Sequence, residues 1–326
     1  MGNYMKDNAS REVIGVGEVL PNVPTECVCC PGCDADDWVS FAQYKDLDFG
    51  VPGEWHLVRC KQCGLTYMNP RPATNAFYLI YPRNYVPYQM ELRPDTRWLM
   101  RFAILTAYEG AKLKEVERLD LPPNARILDV GCGAGFFLTL LKGRGWVPVG
   151  VEPNRDLVNR AHKDLGLDVR LGTLSTAVLE PSTFDVITLW HALEHDPAPA
   201  DTLTQCYKLL KPGGRMVVQV PDNASWEARR LKNYFWSNDI PRHLIFFTRE
   251  TLTGLARKQG FEVADLRRTK NATSWLWSLL RWLKWDLYAQ MERNIGTITA
   301  LYLLIAPFYY LFSRGDWITG IFKKPS

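Results

Sequence analysis

Two groups of residues in this 326-residue chain have types and spacings that suit chemistry. The first is the run LDVGCGAGFF, which holds Asp129, Gly131, Gly133 and Gly135, followed 23 residues after Asp129 by Glu152. A glycine-rich turn lets a ligand lie against bare backbone, and an acid at the end of the next strand suits hydrogen bonds from both ribose hydroxyls. Dinucleotide cradles space their glycines G-x-G-x-x-G and turn a helix N-terminus toward a pyrophosphate. Here the spacing is G-x-G-x-G with Asp129 ahead of it, and a carboxylate there repels a pyrophosphate. It serves a cation, such as an amino or sulfonium group.

The second group is the cysteines. There are eight, at 27, 29, 30, 33, 60, 63, 132 and 206, and six of them fall within 37 residues. The N-terminal residues MGNYMKDNAS have no apolar stretch behind a basic start, and Lys6 stands where myristoylation needs Ser or Thr, so the expected compartment is the cytoplasm. In a reducing compartment such clustering reads as metal rather than disulfide. Cys60-Lys-Gln-Cys63-Gly64 has the form of a zinc knuckle, with Gly64 allowing the turn after the second thiolate. Its partner pair is either Cys27 with Cys30 or Cys30 with Cys33, since both fit the spacing. Four thiolates leave no open position, so such a zinc is structural.

Two histidine motifs remain. His191-Ala-Leu-Glu194-His195 has the letters of an inverted metalloprotease signature, which works only on a helix. It follows directly from the strand-like FDVITLW and precedes Pro197 and Pro199, so a strand exit explains it better. His243 lies in NDIPRHLIFFT, in a loop after a predicted strand. Open α/β sheets place their sites there. His243 is therefore read as a general base or substrate contact, or else as a residue packing a lid.

These residues need a scaffold, and the apolar pattern supplies one. ARILDVG, VPVGVE, LDVRLGT, FDVITLWH, RMVVQVP and FEVADLRRT read as strands. GFFLTLLKGRG, LVNRAHKDLG, PADTLTQCYKLL and TRETLTGLARKQG read as helices, the third ended by Lys211-Pro212-Gly213-Gly214. Strand–helix alternation predicts a parallel sheet covered on both faces, an α/β fold. The chain divides into a leader (1–26), a cysteine module (27–70), a helical linker or cap (71–120) and the α/β domain (121–326). The linker follows Pro70 and opens on Pro72, Pro82 and Pro87 with Tyr78, Tyr81, Tyr85 and Tyr88, then becomes a helix stopped by Pro122-Pro123.

LDVGCGAGFF, VGVEP, FDVITLWHALEH and LKPGGRMVVQVPD resemble the ordered motifs of class I S-adenosylmethionine-dependent methyltransferases over roughly 125–270 and the last strand. That resemblance implies a Rossmann-like seven-stranded sheet with its last strand antiparallel. It implies S-adenosylmethionine as cofactor, with Asp129, Gly131, Gly133 and Gly135 at the methionine end, Glu152 on the ribose, Thr173 and Leu174 near the adenine, and Trp190 and His191 lining the pocket. Many relatives carry an acid at position 173, where this chain has threonine. CPGC and CxxCGLTYMNPRP resemble the zinc ribbon that precedes such domains in related bacterial methyltransferases, which selects Cys30, Cys33, Cys60 and Cys63. His243 and His191 are the catalytic candidates, and PRHL also resembles a stretch found in those relatives. The relatives accompany glycan and lipid biosynthesis, so the expected acceptor is a hydroxyl of a glycan, glycolipid or other amphiphilic small molecule. An RNA methyltransferase and a non-catalytic cofactor-binding module are the alternatives.

Residues 274–313 break the α/β pattern and are read as a hydrophobic helical-hairpin insertion before the last strand. SWLWSLLRWLKWDLYAQM carries Trp275, Trp277, Trp282 and Trp285, and residues 294–313 hold 20 uncharged residues in a row, with Pro307 inside. The strands FEVADLRRT and DWITGIFKKPS flank the insertion, so the chain leaves and re-enters one sheet on the same side. That excludes a single crossing and leaves a lid, a dimer face or a monotopic anchor. Tryptophan favours the headgroup zone, and Arg281 and Lys284 can snorkel toward anionic lipid. Twelve Lys/Arg against five Asp/Glu between 226 and 284 give a local net of +7, leaving −3 elsewhere in a chain of net +4. The expectation is a cytoplasmic protein in peripheral contact with the inner face of an anionic membrane through 274–313, with no nucleic-acid partner.

Overall fold

The computed structural model describes residues 22–81, 98–283 and 295–326. Most of the leader, the segment 82–97 with Pro82, Tyr85, Pro87 and Tyr88, and residues 284–294 with Lys284 and Trp285 lie outside the described residues. The strands in chain order are β1 (Thr25–Glu26), β2 (Trp38–Tyr44), β3 (Trp55–Cys60), β4 (Thr66–Met68), β5 (Arg71–Pro72), β6 (Arg126–Val130), β7 (Val147–Glu152), β8 (Val169–Leu171), β9 (Phe184–Trp190), β10 (Leu210–Pro221), β11 (Ile245–Phe246), β12 (Glu262–Thr269) and β13 (Trp317–Lys323). The helices are α1 (Trp98–Glu117), α2 (Phe136–Lys142), α3 (Arg155–Leu165), α4 (Pro199–Leu209), α5 (Trp226–Leu231), α6 (Arg249–Lys258), α7 (Ala272–Trp282) and α8 (Ile295–Phe312). They form two compact units. One comprises the described parts of 1–86, 223–246 and 270–316, and the other those of 87–222, 247–269 and 317–326.

The second unit is a seven-stranded sheet in the order β12-β13-β10-β9-β6-β7-β8. Its strands are short apolar runs because both faces are covered. Ile127, Leu138, Val186 and Val217 sit in one core cluster, all fully buried, and each such side chain contributes about 1.5–3 kcal/mol. β6 pairs in parallel with both β7 and β9. The chain order reverses direction beside β6, and the crevice at the carboxyl ends of such strands is where a ligand site forms. β13 runs antiparallel to both β10 and β12, as expected for the last strand. Local signals fix the helices. Asn154 caps α3 by accepting from the Asp156 and Leu157 amides at 2.9 and 3.3 Å, and Thr248 caps α6.

One boundary differs from the sequence reading. The Lys-Pro-Gly-Gly run is not a break between helix and strand, because β10 begins at Leu210, paired with Phe184. The ladder shifts between Leu210 and Arg215, with Gly213 at φ +75° inside the irregularity. Lys211 Nζ anchors it on both Asp185 oxygens at 2.7 and 2.8 Å.

The first unit is built on an antiparallel sheet in the order β11-β4-β3-β2. Its fourth strand, β11, comes from far along the chain: Ile245 pairs with Tyr67 and Phe246 with Thr66. Arg242, just before it, is fully buried. Its guanidinium donates to both Asp46 oxygens at 3.0 and 3.1 Å, to Asp239 at 2.6 Å and to the Ile80 and Ile240 carbonyls, over the Phe49 ring at 4.7 Å. A second buried arginine, Arg281 of α7, pairs with Asp48 and donates to the Phe235 carbonyl at 3.1 Å. Burial pushes the Asp48 carboxyl up to about 6 against the pull of Arg281.

In the same unit α7 and α8 pack on each other. Ala272 and Trp275 meet Ala306 and Tyr309, and further along Leu276 and Leu280 meet Leu301 and Ile305, so the two helices run antiparallel. Among the described residues no helix is long and apolar enough to cross a membrane.

Candidate functional site

The glycine loop turns the chain from β6 into α2. Gly131, Gly133 and Gly135 all hold positive φ, at +72°, +57° and +87°. Such a backbone is strained for other residues. Space is tight at two of them as well: a Cβ at Gly131 would stand 3.2 Å from Ala192 Cβ, and one at Gly135 would stand 2.6 Å from Leu167 Cδ1, so a neighbour would have to shift. The Gly131 amide is tied to the Val151 carbonyl at 2.8 Å, which holds the loop against β7.

Two buried carboxylates face this loop. Asp129 accepts from Thr188 Oγ1 at 2.6 Å. Burial pushes its pKa up to about 7, opposed by the nearby Lys112 ammonium and the Thr188 hydrogen bond. Glu152 accepts from the Gly133 amide at 3.0 Å and from the Asn154 amide at 2.8 Å. Burial raises its pKa and those two backbone donors pull it down. A carboxylate has about four acceptor positions, so Glu152 keeps capacity for further donors.

Lys112 comes from α1, which the sequence reading treats as a linker. Its ammonium bonds Glu109 at 2.9 Å and lies 4.4 Å from the Tyr108 ring centre. Burial opposes its charge, but the Tyr108, Glu109 and Asp129 charges outweigh burial and hold its pKa above the ordinary lysine value.

The exit of β9 forms another wall. Trp190 is buried edge-on to Phe137, with ring centres 5.7 Å apart, and its indole N–H has no hydrogen-bond partner among the described residues. His191 follows at φ +52°. Its Nδ1 lies 3.2 Å from Glu194 Oε1 and its Nε2 3.2 Å from Gln219 Oε1. Gln219 in turn donates to Thr319 Oγ1 at 2.9 Å, which turns its oxygen toward His191. The ring packs against Trp317 with centres 4.2 Å apart. Leu193–His195 is a single 3-10 turn, not the α-helix a metalloprotease motif requires. Past β8, the exposed Thr173 hydroxyl engages Ser175 at 2.8 Å and its amide donates to Thr176, while Leu174 is buried.

The donor set discriminates among ligands. Two buried carboxylates at a glycine cradle oppose a pyrophosphate by like-charge repulsion and a low-dielectric setting strengthens that repulsion. They fit a ligand with a cationic centre and a diol, and the orphaned indole N–H of Trp190 fits a wall that a ligand completes. The sheet unit thus brings together Asp129, Gly131, Gly133, Gly135, Glu152, Trp190 and His191. Thr173 and Leu174 stand at the end of β8. His243 belongs to the other unit, where it is buried beside Arg242 and its amide donates to the Asp239 carbonyl at 3.0 Å.

The first unit holds the six clustered cysteines of the N-terminal module. Cys30 Sγ lies 3.5 Å from Cys63 Sγ, Cys33 Sγ lies 3.5 Å from Cys60 Sγ, and all four sulfurs fall within 4.8 Å of one another. A tetrahedral zinc with bonds of about 2.3 Å separates its sulfurs by about 3.8 Å, so the four thiols are at ligand spacing. Cys27 and Cys29 are exposed and outside the cluster, so of the two pairs that spacing allows, Cys30 with Cys33 is the one grouped with Cys60 and Cys63. The two turns are alike: Asp34 donates to the Cys30 carbonyl at φ +65°, and Gly64 donates to the Cys60 carbonyl at φ +75°. Aspartate is among the few residues that enter this region readily, so it replaces glycine without breaking the turn. A hydrogen bond from Cys30 draws the Cys63 thiol down to about 5, while that contact and burial raise Cys30.

With this geometry in place, likeness to known proteins is informative. Residues 105–266 match the methyltransferase domain family. The chain is 32% identical over 173 residues to the ubiquinone biosynthesis O-methyltransferase of Cereibacter sphaeroides, spanning 47% of this chain and 67% of that protein. It is 33% identical over 106 residues to the protein of the same name from Pseudomonas entomophila, spanning 31% of this chain and 45% of that one. The crystal structure of an S-adenosylmethionine-dependent methyltransferase from Mesorhizobium loti superposes with a TM-score of 0.43 at 17% identity, covering 63% of this chain and 94% of that one. The chain belongs to the class I S-adenosylmethionine-dependent methyltransferases. Residues 27–70 and 270–316 fall outside the family match.

Proposed function

We propose that the enzyme methylates a hydroxyl of a small amphiphilic acceptor, such as a glycolipid, a lipid-linked glycan or a lipophilic ring compound. The observation that carries this reading is the pair of buried carboxylates, Asp129 and Glu152, at the glycine loop. The acceptor class draws on the relatives, whose name describes O-methylation in ubiquinone biosynthesis. When bound, the cofactor supplies an activated methyl group on a cationic sulfur, so the chain's task is alignment and removal of one acceptor proton.

In this reading Asp129 and the three glycines hold the methionine end and Glu152 grips the ribose hydroxyls. Thr173 and Leu174 border the adenine, with Leu174 supplying an apolar face. Trp190 and His191 form the wall, the histidine held between Glu194 and Gln219. His243 is the proposed base, with a contribution of about 10²–10⁴-fold. Cys30, Cys33, Cys60 and Cys63 hold a structural zinc.

Incubation with methyl-labelled cofactor and fractionated cell extract tests the acceptor class. Label is expected in the lipid-extractable or small-molecule fraction, and label confined to RNA overturns the reading. With the labelled acceptor in hand, His243→Ala is expected to lower kcat at least tenfold. A smaller loss removes His243 as the base and leaves His191 to be tested by the same substitution.

A further inference from the structure

α8 presents two different faces. Tyr302, Ala306 and Tyr309, at i, i+4 and i+7, pack on α7. On the other side Leu303, Leu304, Phe308, Leu311 and Phe312 are 66–76% exposed. No charged residue occurs between 295 and 312. Five large apolar side chains so exposed present on the order of 600 Å², at the upper end of what soluble monomers leave uncovered.

The end of this face adjoins a basic one within the same unit. Ser313, directly after α8, donates to Glu227 of α5 at 2.8 Å. Glu227 and Ala228 are the buried side of α5, while Trp226, Arg229 and Arg230 are its exposed side. The Arg230 guanidinium lies 6.0 Å from the Trp226 ring centre. Arg314 is exposed next to Ser313, and among the described residues Arg229, Arg230 and Arg314 have no carboxylate partner. An uncharged apolar helix face edged by an exposed tryptophan and exposed arginines has the composition of a bilayer interface.

We infer that α8 lies in the plane of an anionic membrane surface, with Leu304, Phe308 and Leu311 among the acyl chains and Trp226, Arg229, Arg230 and Arg314 at the headgroups. The helix lies on the surface and does not cross it. This deepens the reading of an amphiphilic acceptor, since it brings the enzyme to the phase where such an acceptor dissolves. It also extends the contact expected from 274–313 to α5, which no apolar stretch in the sequence marks.

The test is flotation of the full chain with vesicles, without methyl donor, so that failure here leaves the methyltransferase reading intact. Wild type is expected to float with phosphatidylcholine vesicles containing about one-third phosphatidylglycerol, and at least tenfold less with phosphatidylcholine alone. Arg229→Ala with Arg230→Ala is expected to weaken anionic-vesicle binding about 25-fold, fivefold for each charge. Leu304→Ser with Phe308→Ser and Leu311→Ser is expected to abolish flotation without lowering the thermal midpoint, because these side chains are exposed. Wild type that does not float, or an arginine variant that floats as well as wild type, overturns the inference. So does light scattering that finds a wild-type dimer and a monomeric serine variant, since that outcome makes the face a contact between copies.

Discussion

Asp129→Asn is the most informative single substitution because it separates charge from shape. Asparagine keeps the size of the side chain and an oxygen for Thr188 Oγ1, now 2.6 Å away. The wild-type carboxyl has its pKa raised from 3.8 to about 7 in the folded protein, chiefly by burial. A raised carboxyl favours the folded state below the unfolded pKa, and that advantage fades as pH climbs through the folded one. With its pKa raised that far, the ionised carboxylate costs about 4 kcal/mol of stability above pH 7, of which about 2 kcal/mol develops between about pH 5.5 and pH 8. The neutral amide of the variant carries no such cost. Urea unfolding is therefore expected to find the variant gaining about 2 kcal/mol on wild type across that interval. A cationic ligand works in the opposite direction, since it favours the ionised form. Calorimetric titration of S-adenosylmethionine is expected to find wild-type affinity rising with pH up to about 7, by as much as about tenfold per unit. The variant's affinity should be flat and lower by about ten- to a hundredfold at pH 8, the loss of a hydrogen bond to a charged group. Parallel unfolding curves for the two proteins, or pH-independent wild-type affinity, refute the reasoning.

Other substitutions probe the scaffold. Arg242→Met leaves the buried Asp46 carboxylate without its cation, so urea unfolding should register a loss of about 3–5 kcal/mol. Gly135→Ala meets both φ +87° and Leu167 Cδ1 at 2.6 Å, so it should cost about 2 kcal/mol and weaken cofactor binding, read by calorimetry. Reduced wild-type protein should contain one zinc per chain by atomic emission, and Cys30→Ser or Cys63→Ser should lower that occupancy, whereas Cys27→Ser should not. A chelator should unfold the cysteine unit, read by loss of its protection from proteolysis.

Much of the catalytic fold was legible because parallel strands buried on both faces are written as uninterrupted apolar runs, and because Gly131, Gly133 and Gly135 mark a turn that other residues resist. Asp129 and Glu152 stand out for the same reason, since Glu152 closes one such run and Asp129 lies one residue before the end of another. What escaped the sequence were contacts between residues remote in the chain. Arg242 meets Asp46 across 196 positions, and Ile245 and Phe246 complete the sheet of a cysteine module that reads as self-contained. Neither leaves a local period. Lys112 looked like one charge among several on an amphipathic helix, and only folding sets it beside Glu109, Tyr108 and Asp129. Spacing alone does not choose between Cys27 and Cys33, which both satisfy it; the folded chain groups the Cys33 sulfur with those of Cys30, Cys60 and Cys63.

Equilibrium dialysis of the full chain against S-adenosylmethionine and, in parallel, against NADH tests the central claim most directly. Saturable uptake of one S-adenosylmethionine per chain and no retention of NADH are expected. Retention of NADH with no uptake of the sulfonium compound would contradict it.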